Sequence, residues 1–232
     1  PKDGVSQVQE LQMVTQEGSN VGVAAVVGNF DDAQTGVKKL FSNEKVRRDL
    51  ERKGCFLSSA NSINWGRVLP QIVYYISAYC DLLRDEKIEP GQAVNVCVPT
   101  GNFGNILAAW YAKQIGVPVG MLLCASNDNR VLTDFINTGT YDISDREFIL
   151  TSSPSMDILV SSNLERQLFE LTGRNAEAIS QWMADLSERR CFRVDPETFA
   201  RVRESFSADS IDNATCLTTI KKVHDEHGYL LD

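Results

Sequence analysis

The sequence predicts an α/β fold with a mostly parallel sheet and flanking helices. Three observations predict it: short apolar runs alternate with amphipathic stretches, those stretches are long enough to act as crossover helices, and Gly- or Pro-marked turns stand between them. With 232 residues, 43% of them hydrophobic, the chain can bury a core for one large domain or two small ones.

Taken in order, Glu10–Thr15 reads as helical, Val21–Val27 as a buried strand, Asp32–Phe41 and Glu44–Lys53 as helices, and Cys55–Ser59 as a strand. An amphipathic helix follows from about Asn64 to Arg84, then a Pro90-Gly91 turn and the best buried-strand candidate, Ala93–Val98. Asn105–Ile115 is the next helix, Val119–Ala125 the next strand and Asp128–Asn137 a short helix. After Asp142 the pattern changes: Phe148–Thr151 is a short strand, while Leu164–Leu171, Ala176–Ser187, Pro196–Phe206 and Thr215–His227 read as helices, so the last third is expected to be helical. Pattern switches near Asn61 and Ser144 are the places to look for a domain boundary.

Composition excludes some functions. A net charge of -8 lacks the basic footprint that a phosphate backbone requires, so no nucleic-acid partner is expected. The apolar segment Val68–Leu83 is broken by Pro70, Gln71, Ser77 and Asp81, so no membrane span is expected. Cys55, Cys80, Cys97, Cys124, Cys191 and Cys216 are scattered without a C-x-x-C, which reads as buried free thiols in a reducing cytosol. The only histidines, His224 and His227, have a spacing that suits the last turn of a helix better than a metal site or a Ser-His-Asp triad. Pro1 opens the chain without a signal sequence, and Tyr229–Asp232 follow a helix-stop Gly228; both ends read as cuts from something longer.

Val96-Cys97-Val98-Pro99-Thr100-Gly101-Asn102-Phe103-Gly104-Asn105 sets a glycine-rich turn between a buried strand and a helix start. Gly101 and Gly104 let the backbone come close to a ligand or take positive φ, and the helix start offers unpaired N–H groups and the positive end of its dipole. An anion such as phosphate suits that arrangement; a tight turn whose glycines solve only a backbone problem explains the spacing equally well. Neither G-x-x-x-x-G-K-[ST] nor G-x-G-x-x-G is present, which weakens a nucleotide reading.

Pro99–Asn105 resembles the phosphate loop of threonine synthases. Four more segments, in the right order, are similar to stretches of that family: Gly28-Asn29-Phe30-Asp31-Asp32-Ala33, Ser59–Gln71, Cys124-Ala125-Ser126-Asn127-Asp128-Asn129 and Ser153-Pro154-Ser155-Met156-Asp157-Ile158. The resemblance implies a fold type II enzyme of tryptophan synthase β-like architecture that uses pyridoxal 5'-phosphate (PLP). It implies a small-molecule substrate, O-phospho-L-homoserine, converted with water to L-threonine and phosphate in the cytoplasm, and leaves the oligomeric state open. It also implies that residues 1–60 form part of a smaller α/β domain and 61–232 part of the large PLP-binding domain with a helical C-terminal region. Gly101, Asn102, Phe103, Gly104 and Asn105 would then hold the PLP phosphate, mostly through backbone amides.

The family's F-K-D segment with the Schiff-base lysine, its S-G-D-T-G segment and its C-terminal segment have no counterpart here, so no catalytic residue is assigned and the chain alone is expected to be inactive. Lys2, Lys38, Lys39, Lys45, Lys53, Lys87, Lys113, Lys221 and Lys222 read as solvated surface lysines. Asn61, Ser62 and Asn64 read as helix caps before cofactor contacts, Ser155 and Asp157 as a helix start or substrate contacts, and Trp65, Trp110 and Trp182 as core. Glu188-Arg189-Arg190 and Asp225-Glu226 read as solvated faces. The alternatives are another fold type II lyase, of the serine/threonine dehydratase or cysteine synthase kind, and a non-catalytic protein of this fold that binds a phosphate ligand.

Overall fold

The computed structural model describes residues 7–27, 36, 37, 39–58 and 64–231. The chain divides into two units, Pro1–Ser59 and Ala60–Asp232. In the first, α1 (Gln7–Val14) and α2 (Glu44–Glu51) are the helices with full bounds. Asn43 starts α2, its Oδ1 accepting from the N–H groups of Lys45 at 3.0 Å and Val46 at 3.1 Å, the capping that a side-chain amide offers to otherwise unpaired donors. Val21–Val27 and Cys55–Ser58, both read as strands, are not strands. An apolar run becomes a strand only beside another strand that takes up its hydrogen bonds in a ladder, and among the described residues of this unit there is no strand to do so. The described part of Asp32–Phe41 is helical; Gly28–Ala33 lies outside the described residues.

The second unit opens with α3 (Trp65–Val68), a 3-10 turn over Leu69–Gln71 and α4 (Ile72–Arg84). One helix was expected from Asn64 to Arg84; Pro70, which has no N–H to donate, marks where it breaks. Then come β1 (Val94–Pro99), α5 (Gly104–Gln114), β2 (Val119–Ser126), α6 (Val131–Thr138) and β3 (Thr140–Asp142). The rest is a 3-10 turn at Pro154–Met156, α7 (Leu164–Leu171), α8 (Ala176–Arg189), β4 (Cys191–Arg193), α9 (Pro196–Ser205), β5 (Phe206–Ser210) and α10 (Asn213–His227).

β1, β2 and β5 form a parallel sheet in that order, with Val98 opposite Cys124 and Leu122 opposite Phe206. The α/β fold with a parallel sheet and flanking helices is thus as the sequence predicts. The all-helical last third is not, since β5 joins the main sheet and β4 pairs antiparallel with β3. β5 escaped notice because Phe206-Ser207-Ala208-Asp209-Ser210 is mostly polar and starts where α9 stops. Phe148–Thr151, expected to be a strand, is not one; side chains rather than a ladder hold its backbone.

The core lies where α5 covers the sheet. Ile106, Leu107, Ala108, Ala109, Trp110 and Ala112 are all buried, so this helix is enclosed on nearly every side, and its small residues admit close neighbours. A second cluster stacks Tyr141 on Phe192, 5.3 Å apart and 6° from parallel, across the β3–β4 pair, with Trp182 and Phe135 beside them. Of the three tryptophans read as core, Trp110 and Trp182 are buried, but Trp65 is 41% exposed. All six cysteines are free; only Cys124 is buried, and burial pushes its thiol up to about 11. Cys55, Cys80 and Cys97 are exposed, contrary to expectation, because Cys55 lies outside any strand and the strand around Cys97 has one open face. Among the described residues no helix is long and apolar enough to cross a membrane.

Candidate anion-binding site at the end of strand β1

The chain leaves β1 at Pro99 and enters α5 at Gly104, so only four residues make the turn. Thr100, buried, ties its start to the sheet: its N–H donates to the Ala125 carbonyl at 2.9 Å and its hydroxyl to the Val98 carbonyl at 2.6 Å. Phe103 stands before the helix with φ 60° and ψ 8°, a left-handed conformation that costs a non-glycine residue roughly 1–2 kcal/mol. Its ring offsets this. It is 2% exposed and packs 5.5 Å from Phe206 of β5, and burying a phenylalanine contributes about 1.5–3 kcal/mol.

Among the described residues, no backbone N–H from Gly101 to Ile106 donates to a protein acceptor. The carbonyls of the same loop, by contrast, are engaged. The Ser161 hydroxyl donates to Gly101 O at 2.9 Å, and Asn163 donates to Asn102 O twice, from its N–H at 3.1 Å and from Nδ2 at 2.9 Å. With its acceptors drawn off toward the start of α7, the loop keeps a run of free donors at a helix N-terminus, which favours an anion.

Gly101 has a reason to be glycine apart from any ligand. A Cβ there would meet Ser155 O at 2.8 Å and Met156 Cα at 3.3 Å, so the 3-10 turn at Pro154–Met156 leaves no space for a side chain. The readings of this residue as a backbone solution and as part of an anion loop therefore coexist.

The five residues picked out from sequence are adjacent at this turn, Gly101 and Phe103 buried, Asn102 and Asn105 exposed. Asn105 is held by Tyr75 of α4, whose hydroxyl donates to the Asn105 carbonyl at 3.2 Å and to its Oδ1. Burial pushes the Tyr75 hydroxyl up to about 12, so it stays a donor across the neutral range. The loop's recorded side-chain partners, Tyr75, Ser161, Ser162 and Asn163, are all neutral. Sequence reasoning missed these four. The signal for Asn163 was its place just before α7, but it donates to Asn102 instead of capping that helix.

Asn64 does cap, its Oδ1 accepting from Gly66 N–H at 2.9 Å; Asn61 and Ser62 lie outside the described residues. Ser155 sits within the 3-10 turn, and Asp157 just beyond it is buried and hydrogen-bonded. Of the lysines, Lys113 is half-buried, donating to the Gly120 carbonyl at 2.8 Å, and Lys39, Lys45, Lys53, Lys87, Lys221 and Lys222 are exposed; Lys2 and Lys38 lie outside the described residues. His224 and His227 fall in the last turn of α10.

No family model matches the chain. Threonine synthase-like 1 of Homo sapiens is 43% identical over 233 residues, covering 100% of this chain and 31% of that protein. Threonine synthase of Pseudomonas aeruginosa is 38% identical over 232 residues, covering 100% of this chain and 47% of that protein. Among solved structures, PLP-bound threonine synthase from Brucella melitensis aligns with a TM-score of 0.87 at 41% identity, covering 98% of this chain and 47% of that one. Threonine synthase from yeast aligns with a TM-score of 0.84 at 32% identity, covering 98% of this chain and 45% of that one. The chain spans less than half the length of each of these relatives, and over that span its sequence and its α/β fold are similar to those of threonine synthases, PLP enzymes of fold type II.

Proposed function

We propose that the turn Gly101–Asn105 holds the phosphate of PLP, and that the protein of which this chain is a part converts O-phospho-L-homoserine and water to L-threonine and phosphate. The observation that carries the reading is the unpaired run of backbone N–H groups from Gly101 to Ile106 at the start of α5. The fit to a phosphate is chemical as well as geometric, because the donors are left unpaired among the described residues, two of the carbonyls are tied back, and the side-chain partners bring no competing negative charge. The threonine synthase names of the relatives favour this reading over a serine/threonine dehydratase or a cysteine synthase.

Each residue has a distinct part. Gly101 and Gly104 bring the backbone close, Phe103 sets the direction of the turn, and Asn102 and Asn105 are oriented by Asn163 and Tyr75. When bound, PLP would supply an electron sink; the task of this chain's residues is to bind and orient its phosphate end. None of the described lysines is desolvated in the way a Schiff-base lysine requires, so the isolated chain is expected to bind the phosphate group and to make no threonine.

The test uses pyridoxine 5'-phosphate, which has no aldehyde to react with surface lysines, and calorimetric titration. Binding by the chain, and its loss in Gly104→Val with circular dichroism unchanged, is the expected result; a β-branched side chain in the turn would block approach to the phosphate. Equal affinity in both proteins, or no binding by the chain, would overturn the assignment.

A further inference from the structure

Four donors converge on one carboxylate near the turn. Asp157, 9% exposed, accepts from Asn127 Nδ2 at 2.7 Å, Asn129 Nδ2 at 3.1 Å, and Thr151 through its hydroxyl at 2.8 Å and its N–H at 2.9 Å. Asn127 and Asn129 follow directly on β2, so the network pins the segment 149–157 to the end of the central strand. Asn129 adds a reciprocal pair with the Ile149 backbone, donating at 2.8 Å and accepting at 3.0 Å.

The pinned segment carries the 3-10 turn at Pro154–Met156, which lies against Gly101 so closely that no Cβ fits between them. That turn has only two backbone bonds of its own, Met156 N–H to Ser153 O at 2.9 Å and Asp157 N–H to Pro154 O at 3.2 Å, and no side-chain cap among the described residues. Its position depends on the network behind it and on Asn213, which accepts from the Ser152 N–H at 2.9 Å. A wall that moves lets Gly101 move, and the donors that follow Gly101 would move with it.

We propose that Asp157 is the positioning residue of the anion-binding turn, holding the Pro154–Met156 turn as a fixed wall against Gly101 so that the free amides stand ready before the anion arrives. This rests on the reading of the turn as a phosphate site. A site organised in advance loses less freedom on binding, so disturbing the wall weakens affinity even where the fold survives. Thr151 offers the milder probe, because its hydroxyl donates to Asp157 and also accepts from Asn127 Nδ2 and Ser153 N–H.

The experiment titrates inorganic phosphate and pyridoxine 5'-phosphate into the unsubstituted chain and into Asp157→Asn, Thr151→Val and Thr151→Ser, with circular dichroism and thermal midpoints in parallel. Asp157→Asn and Thr151→Val are expected to bind both ligands about 10-fold more weakly, the low end of what removing supporting groups costs at bound metals. Thr151→Ser, which keeps the hydroxyl, is expected to bind like the unsubstituted chain. If Asp157→Asn does not fold, Thr151→Val carries the test. Folded variants with lowered midpoints and unchanged affinity would overturn the positioning role and leave the phosphate reading intact. Failure of the unsubstituted chain to bind either ligand would overturn both.

Discussion

Gln167 is 1% exposed on the buried face of α7 with Leu164, Leu168 and Leu171, and neither end of its amide has a hydrogen-bond partner among the described residues. A buried amide left without partners costs roughly 1–3 kcal/mol, whereas a leucine of similar size would share the apolar contacts of its neighbours. Gln167→Leu is therefore expected to raise the thermal midpoint by several degrees, at about 2–4 °C per kcal/mol for a chain of this size. A lower midpoint in thermal denaturation would show that the amide is satisfied in solution. This residue also marks a limit of sequence reading: the spacing gave α7 correctly, but a polar residue at an inward position reads as an exposed one. Gly101 shows another limit, since the atoms that forbid a side chain there belong to Ser155 and Met156, far along the chain.

At the scale of elements, two late helices start on aspartates. Asp195 caps α9 by accepting from Thr198 N–H at 2.9 Å, and Asp212 caps α10 by accepting from Thr215 N–H at 2.6 Å. Hydrogen bonds from the Thr198 side chain and backbone hold the Asp195 carboxyl below its ordinary 3.8, and the Thr215 backbone and side chain do the same for Asp212. A carboxyl whose pKa is depressed by folding stabilises the fold above its ordinary value, and that contribution is lost as pH falls through the lower folded value. Stability from urea unfolding is thus expected to decline below about pH 4. Asp195→Asn, which still caps but does not titrate in this range, is expected to lessen the decline; an identical acid profile in both proteins would discount the cap's share. Amphipathic helices were the most legible elements, Leu164–Leu171 falling where its spacing put it even without a side-chain cap. The strands were less so. Val21–Val27 has a strand's composition without a partner strand among the described residues, and β5 has a partner strand without the composition, because pairing is decided by residues distant in sequence.

For the whole molecule, the apolar surface is unevenly covered. On α4, Val73 and Tyr74 are 59% and 61% exposed, and Leu69 and Trp65 just before it are exposed as well. Contiguous exposed apolar groups favour association. The chain at rising concentration is expected to sediment as a mixture of species, and Val73→Lys with Tyr74→Glu to shift it toward the monomer. A chain that stays monomeric throughout, or a variant that sediments like the original, would count against this surface. The parallel sheet was readable because two of its three strands, β1 and β2, are apolar and flank α5; the apolar exposure was not, because burial belongs to three dimensions.

The contact between Phe103 and Phe206 also sets an order of events. The left-handed turn is sustained by a ring that packs on β5, and β5 leaves the ribosome roughly a hundred residues after Phe103, some 5–20 s later at ordinary rates of synthesis. During that interval the turn has its strand and its helix but nothing to hold Phe103 in place. The turn therefore matures only after β5 has emerged and docked, and a phosphate compound would meet the proposed site in its finished form only from that point on.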